Sequence, residues 1–224
     1  MAPTLYIVRH AEGYHNSAHR GEDIQDPFLT DKGRGQCEEL CKNFPHHDKI
    51  ELLMASPMKR TIQTCKYSFQ PVVDRLGKIL LVPLAQEASD ESMDTGSKTQ
   101  ELKDAFGDLI DTYRIEEVHP YWYRNIGRFA PDAEAQIERA RQLRCFIKDR
   151  PEKHVVLVSH GSFAHAITGN FTDEGEQTTR MWSNAECRSY TFDEESGNQA
   201  LIVETEESKG NRPDLELKDA ETSA

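Results

Sequence analysis

The stretch TLYIVRHAEGYHN, residues 4–16, carries an apolar, β-branched run straight into an Arg-His pair, with an asparagine six residues beyond the histidine. Residues 5–8 are too few for a helix and are bounded by charge, which predicts a buried central strand with Arg9 and His10 at its carboxyl end. HVVLVSHG, residues 154–161, repeats the arrangement, with Ser159-His160-Gly161 closing a second apolar run. In an open, mostly parallel sheet, ligands bind outside the carboxyl ends of the strands. Both histidines are therefore expected at one rim.

The intervening chain alternates in the way such a sheet requires. LTDKGRGQCEELCKNF predicts a helix capped by Thr30, with Leu40, Cys41 and Phe44 on one face. LLMAS (52–56) is a second strand, and SPMKRTIQTCKYSF a helix with Ser56 as cap and Pro57 in its first turn. KILLVPL (78–84) is a third strand. Residues 88–131 are irregular apart from a helix opened by the capping box Ser97-Lys98-Thr99-Gln100. Residues 131–149 form an amphipathic helix with Ile137, Ala140, Leu143 and Ile147 on one stripe. SFAHAIT begins another helix, and CRSYTFD and QALIVETE complete the sheet as alternating strands. Strand–helix alternation implies an α/β fold with helices on both faces of a mostly parallel sheet.

Length and charge narrow the function. At 224 residues the chain suits one domain. Residues 1–205 are assigned to it, and 206–224 to an acidic, unstructured tail. A net charge of −12 argues against nucleic acid or an anionic membrane as partner. Seven acidic and three basic residues from Glu204 onward leave about −8 on the body. An anionic substrate therefore needs a few cations gathered locally. No apolar run reaches the roughly 18 residues of a membrane span, and the start MAPTLYIVRHAE lacks a basic leader region. Five cysteines without a CxxC pair suggest neither disulfides nor zinc, so a cytoplasmic protein is expected. His15 and His19 stand one helical turn apart, but no third ligand has suitable spacing, so no metal is assigned. Gly33 and Gly35 form no phosphate loop, and Gly161-Ser162-Phe163 lacks the rest of G-x-S-x-G.

Four segments then fall into one pattern: Arg9-His10-Ala11 with Asn16, Ser56-Pro57-x-x-Arg60-x-x-Gln63-Thr64, a Glu after the third strand (Glu87), and Ser159-His160-Gly161. With the D-x-x-L-T-x-x-G-x-x-Q stretch from Asp26 to Gln36, the chain resembles the histidine phosphatase superfamily, the phosphoglycerate mutase-like family, over residues 4–165. The resemblance implies a three-layer α/β/α fold and a small intracellular phosphatase without a cofactor. It implies His10 as nucleophile, Arg9, Arg60 and His160 around the phosphoryl group with Asn16 and Gly161, and Glu87 as proton donor. Asp90 and Glu91 are rivals for that last role. The residue types suit the chemistry: guanidinium forks match phosphoryl oxygens, and a neutral imidazole attacks phosphorus well.

The expected reaction is metal-independent hydrolysis of a small phosphate ester through a phosphohistidine. The alternatives are phosphoglycerate-mutase-type transfer and a non-catalytic phospho-ligand binder. The mutases of the family carry a longer insertion with an Arg-Arg-Ser-Tyr-Asp stretch, and this chain has none. Specificity is expected from 88–131, where VHPYWYRNIGRF and the preceding Tyr113 offer Tyr113, Trp122 and Arg124 to the organic part of a substrate. Rings that simply cover the core are the alternative there.

Overall fold

Leu5, Ile7 and Val8 are fully buried, as are Val155, Val156, Leu157 and Val158, so the two strands carrying the histidines lie at the centre of the sheet. The computed structural model describes residues 2–17 and 19–211. Among these, β1 (Thr4–Arg9), β2 (Leu52–Ala55), β3 (Ile79–Leu81), β4 (Ile110–Asp111), β5 (His154–Ser159), β6 (Cys187–Phe192) and β7 (Ile202–Glu204) form one sheet. Its order is β4-β3-β2-β5-β1-β6-β7. The five strands from β4 to β1 are parallel, and β6 and β7 are antiparallel additions. Parallel central strands are buried on both faces, which is why they read as continuous apolar runs.

The helices are α1 (Tyr14–Ser17), α2 (Asp31–Asn43), α3 (Lys59–Ser68), α4 (Gln70–Leu76), α5 (Thr99–Phe106), α6 (Ala133–Lys148), α7 (Gly161–Thr168) and α8 (Glu206–Gly210). Through α2, α3 and α4 the chain moves from β1 to β2 to β3 in one direction across the sheet. Through α6 it returns to β5. Right-handed crossovers put these two groups on opposite faces, and accordingly α2 packs on α3 and α6 on α7. The result is the expected three-layer α/β/α sandwich.

Several elements differ from the sequence expectation, each for a local reason. α3 starts at Lys59 behind Met58, because the Ser56 hydroxyl accepts from His160 Nε2 at 2.9 Å instead of capping the helix. The Ser97 hydroxyl likewise leaves the start of α5, donating to Asp26 Oδ2 at 2.6 Å. α6 is capped by Asp132, whose carboxylate accepts from Ala135 N–H. Its buried face includes Arg139 and Arg144, whereas Ile137 is half-buried. β3 stops at Leu81, ahead of the 3-10 turn Pro83–Ala85. α4 was not anticipated, although it has Pro71 in its first turn and Gly77 at φ 75° just past its end.

Residues 88–131 hold 3-10 turns, a π-helical turn at Arg114–Val118, α5 and the two-residue β4. The expected unstructured tail is corrected at its beginning. Glu206–Gly210 form α8, capped by Thr205 accepting from Ser208 N–H and packed on β6. His46 Nε2 lies 2.8 Å from Glu207 Oε1, which ties the turn after α2 to α8. The rest of that tail, 212–224, lies outside the described residues. No helix among the described residues is long and apolar enough to cross a membrane.

Candidate active site

In the register of β1 and β5, Arg9 stands beside Ser159, so the two strand ends deliver His10 and His160 side by side, ring centroids 5.3 Å apart. The His10 backbone is fixed on both sides. Its N–H donates to Ser159 O at 3.0 Å, and its carbonyl accepts from Asn184 Nδ2 at 3.1 Å. The loop beyond it is held by the Asp26–Gln36 stretch and by α3. Ala11 N–H donates to Thr64 Oγ1 at 3.0 Å and Glu12 N–H to Gln36 Oε1 at 2.8 Å. Gln63 Oε1 accepts from Leu29 N–H. Gly33 lets α2 approach, since a β-carbon there would lie 2.1 Å from Glu12 O.

The His10 ring is buried, and its Nδ1–H donates to Ala11 O at 2.7 Å. That bond sets the tautomer and leaves Nε2 with a bare lone pair. Burial, then the Arg60 and Arg9 guanidiniums, hold His10 well below the usual imidazole range, so it is neutral.

Arg60, from α3, is fully buried. It donates to Asp94 Oδ1 at 2.6 Å, to Met93 O at 2.7 Å and to His160 Nδ1 at 3.1 Å. Asp94 also accepts from the Ser89 hydroxyl at 2.6 Å. With Nε2 donating to Ser56 Oγ, both nitrogens of His160 are engaged. Arg9 donates to Trp182 O. Gly161 makes room for it, because a β-carbon there would sit 3.0 Å from Arg9 Nε and 2.8 Å from Met181 Sδ.

Glu87 lies on the loop after β3, opposite the N-terminus of α7. Its carboxylate accepts from Phe163 N–H at 2.9 Å and Ser162 N–H at 3.3 Å. Burial and the nearby Asp94 outweigh these bonds and the Arg60 charge, lifting its pKa to about 7. Beneath the loop, buried Arg139 donates to Gln86 O at 2.7 Å and Glu87 O at 3.3 Å, with its guanidinium 3.9 Å over the Phe163 ring.

Together these groups border a cavity of about 210 Å³. Arg9, His10, Asn16, Arg60 and Glu87 all line it, whereas His160 and Gly161 stand behind it. The remaining wall comes from His15, Ala88, Ser89, Met93, Asp94 and Ser162. Asp90 and Glu91 are exposed and outside it. Tyr113, Trp122 and Arg124, expected to bind substrate, do not line the cavity. Trp122 is a core residue packed over Gly96, where a β-carbon would meet its ring at 2.0 Å. Arg124 is exposed and stacks on Tyr121 at 4.6 Å, and Tyr113 is partly exposed.

Sequence reasoning missed Asp94, Ser89 and Arg139. Arg139 alone left a signal, since it falls between Gln136 and Leu143 on the buried stripe of α6. No group of three potential metal-ligating side chains occurs among the described residues.

The profile of the histidine phosphatase superfamily (branch 1) matches residues 5–205. A probable phosphatase of Schizosaccharomyces pombe is 32% identical over 164 residues, covering 70% of this chain and 74% of its own. A phosphoglycerate mutase-like protein of Arabidopsis thaliana is 27% identical, covering 94% and 92% respectively. Among solved structures, a phosphoserine phosphatase of Entamoeba histolytica in complex with phosphoserine superimposes with a TM-score of 0.57 at 18% identity, over 91% of this chain and 95% of that one.

Proposed function

The chain belongs to the histidine phosphatase superfamily and is a phosphoric ester hydrolase, and we propose that it cleaves phosphate monoesters of small organic molecules through a phosphohistidine on His10, without a metal ion. One observation carries this reading: His10 presents a bare, neutral Nε2 to a cavity lined by two guanidiniums and by a carboxyl group whose pKa is about 7.

Nε2 attacks phosphorus; the P–N bond forms as the ester P–O bond breaks. Arg9 and Arg60 balance the charge on the phosphoryl oxygens, doing the electrostatic work that a cation does elsewhere. The departing alkoxide takes its proton from Glu87, which a pKa near 7 keeps partly protonated at neutral pH. Water then attacks the phosphohistidine and gives a proton to the Glu87 carboxylate. The P–N bond breaks, releasing inorganic phosphate and restoring His10. His160 acts behind the site, orienting Arg60 through its Nδ1 and packing against His10.

The test is release of inorganic phosphate from p-nitrophenyl phosphate, sugar phosphates, phosphoserine and 3-phosphoglycerate, with and without EDTA. Turnover unchanged by EDTA is expected. Activity that vanishes in EDTA contradicts the metal-free route, and isomerisation of 3-phosphoglycerate without phosphate release identifies a mutase instead.

A further inference from the structure

Two imidazoles face the cavity, and the second is His15 rather than His160. Its ring lies 5.3 Å from that of His10, centroid to centroid, on α1 directly before Asn16. Its Nδ1 is buried over the Gly13 backbone, where a β-carbon would come within 2.7 Å of it. Among the described residues, Nδ1 has no hydrogen-bond partner. An unpaired N–H is costly to bury, so the proton belongs on Nε2, at the opposite edge of the ring. Nδ1 is closed off, so that opposite edge is the one the ring offers to the cavity it lines.

We infer that His15 is a substrate-contacting residue of the phosphoryl site, its Nε2–H donating a hydrogen bond to a phosphoryl oxygen. The assignment rests on the reading of the cavity as a phosphoryl site. Burial together with the Arg60 and Arg9 charges holds the His15 pKa near 3, so the ring acts as a neutral donor throughout the physiological range. A neutral donor aimed at an oxyanion stabilises it without adding a charge that would protonate or displace the nucleophile beside it. Gly13 follows from the same geometry, since a larger residue there would push the imidazole away from its seat.

The experiment uses orthovanadate, a phosphoryl mimic, titrated calorimetrically into the full chain alongside kcat/KM for p-nitrophenyl phosphate. His15→Phe keeps a flat ring and removes the donor. His15→Gln restores an N–H at about the reach of Nε2. The expected result is an orthovanadate affinity and a kcat/KM about 10- to 100-fold lower in His15→Phe, the weight of one hydrogen bond to a charged group, with most of the loss recovered in His15→Gln. Should the Phe variant melt early, His15→Ala serves as the non-donor. Orthovanadate bound within twofold of wild type by the non-donor variant overturns the assignment, and so does equal impairment of the Gln and Phe variants at unchanged melting temperature. A wild-type chain that binds orthovanadate through His15 yet hydrolyses no ester upholds the donor and overturns the hydrolase reading.

Discussion

In the proposed mechanism His10 owes its reactivity to a bond one residue away. The Ala11 carbonyl accepts a hydrogen bond from Nδ1–H, and burial together with two guanidiniums keeps Nε2 unprotonated. His10→Ala is therefore expected to abolish turnover, by at least about 1,000-fold, while leaving the thermal transition in place; a wild-type rate in that variant sinks the nucleophile assignment. In that mechanism Glu87 is the acid and sets the pH dependence. Its protonated form is the acid and its pKa is about 7, above the usual carboxylate value, so protonated enzyme is lost as pH rises through 7. kcat/KM for alkyl phosphates should then fall about tenfold per unit on the alkaline side. Glu87→Gln should lose that limb and slow alkyl esters more than p-nitrophenyl phosphate, whose leaving group needs no proton. Equal slowing of both substrates would exclude Glu87 as the acid. Arg9, His10, Arg60 and Glu87 were legible because each closes or follows a strand or opens a helix of recognisable pattern. Asp94 was not, because nothing in ESMDTGS signals that its carboxylate turns inward to Arg60.

At the scale of elements, much of the recognisable sequence is scaffolding for the His10 loop rather than chemistry. Asp26 accepts from Lys59 N–H at 2.8 Å and from Ser97, tying the start of α3 to the 88–131 segment. Thr30 caps α2, and Gly33 lets the helix touch Glu12. Gly33→Ala should displace that contact, cost about 1–3 kcal/mol and lower kcat together with melting temperature; a fully stable, fully active variant would show that the contact is dispensable. Arg139 supports the other wall. Arg139→Met leaves the carbonyls of Gln86 and Glu87 without their donor, so it should destabilise the fold by about 1–3 kcal/mol. It should also reduce turnover of alkyl esters more than of p-nitrophenyl phosphate, because the Glu87 loop loosens. Losses equal for the two substrates would confine Arg139 to stability. Helix starts at Ser56 and Ser97 were misread because each hydroxyl has a long-range partner that outcompetes local capping, and such partners leave no trace in local pattern. The aromatic cluster read as a specificity surface turned out to contribute Trp122 to the core, where Gly96 receives it.

The order of strands in the whole molecule explains how residues 150 positions apart form one site. Parallel pairing of β1 with β5 brings Arg9 level with Ser159, and the strand–helix alternation visible in the sequence signals the crossover connections that parallel pairing needs. What that alternation did not reveal is β4, whose two residues carry no period, or α8, whose five polar residues resemble the tail they precede. The acidic balance of −12 is spread over the chain, whereas Arg9 and Arg60 are gathered at one cavity. All the residues assigned to catalysis fall between Arg9 and His160, so a chain ending at Asn211 should keep turnover within about twofold of full length. One ending at Glu204 loses α8 from β6 and should melt lower; loss of activity in the chain ending at Asn211 would instead place part of the site in residues 212–224. The proposed phosphohistidine can be sought without choosing a substrate class. Rapid quenching during turnover of 32P-labelled p-nitrophenyl phosphate, followed by peptide mapping, should find an acid-labile, base-stable phosphoryl group on His10 and none in His10→Ala, whereas label on another residue, or turnover with no labelled enzyme at any time, would contradict the mechanism.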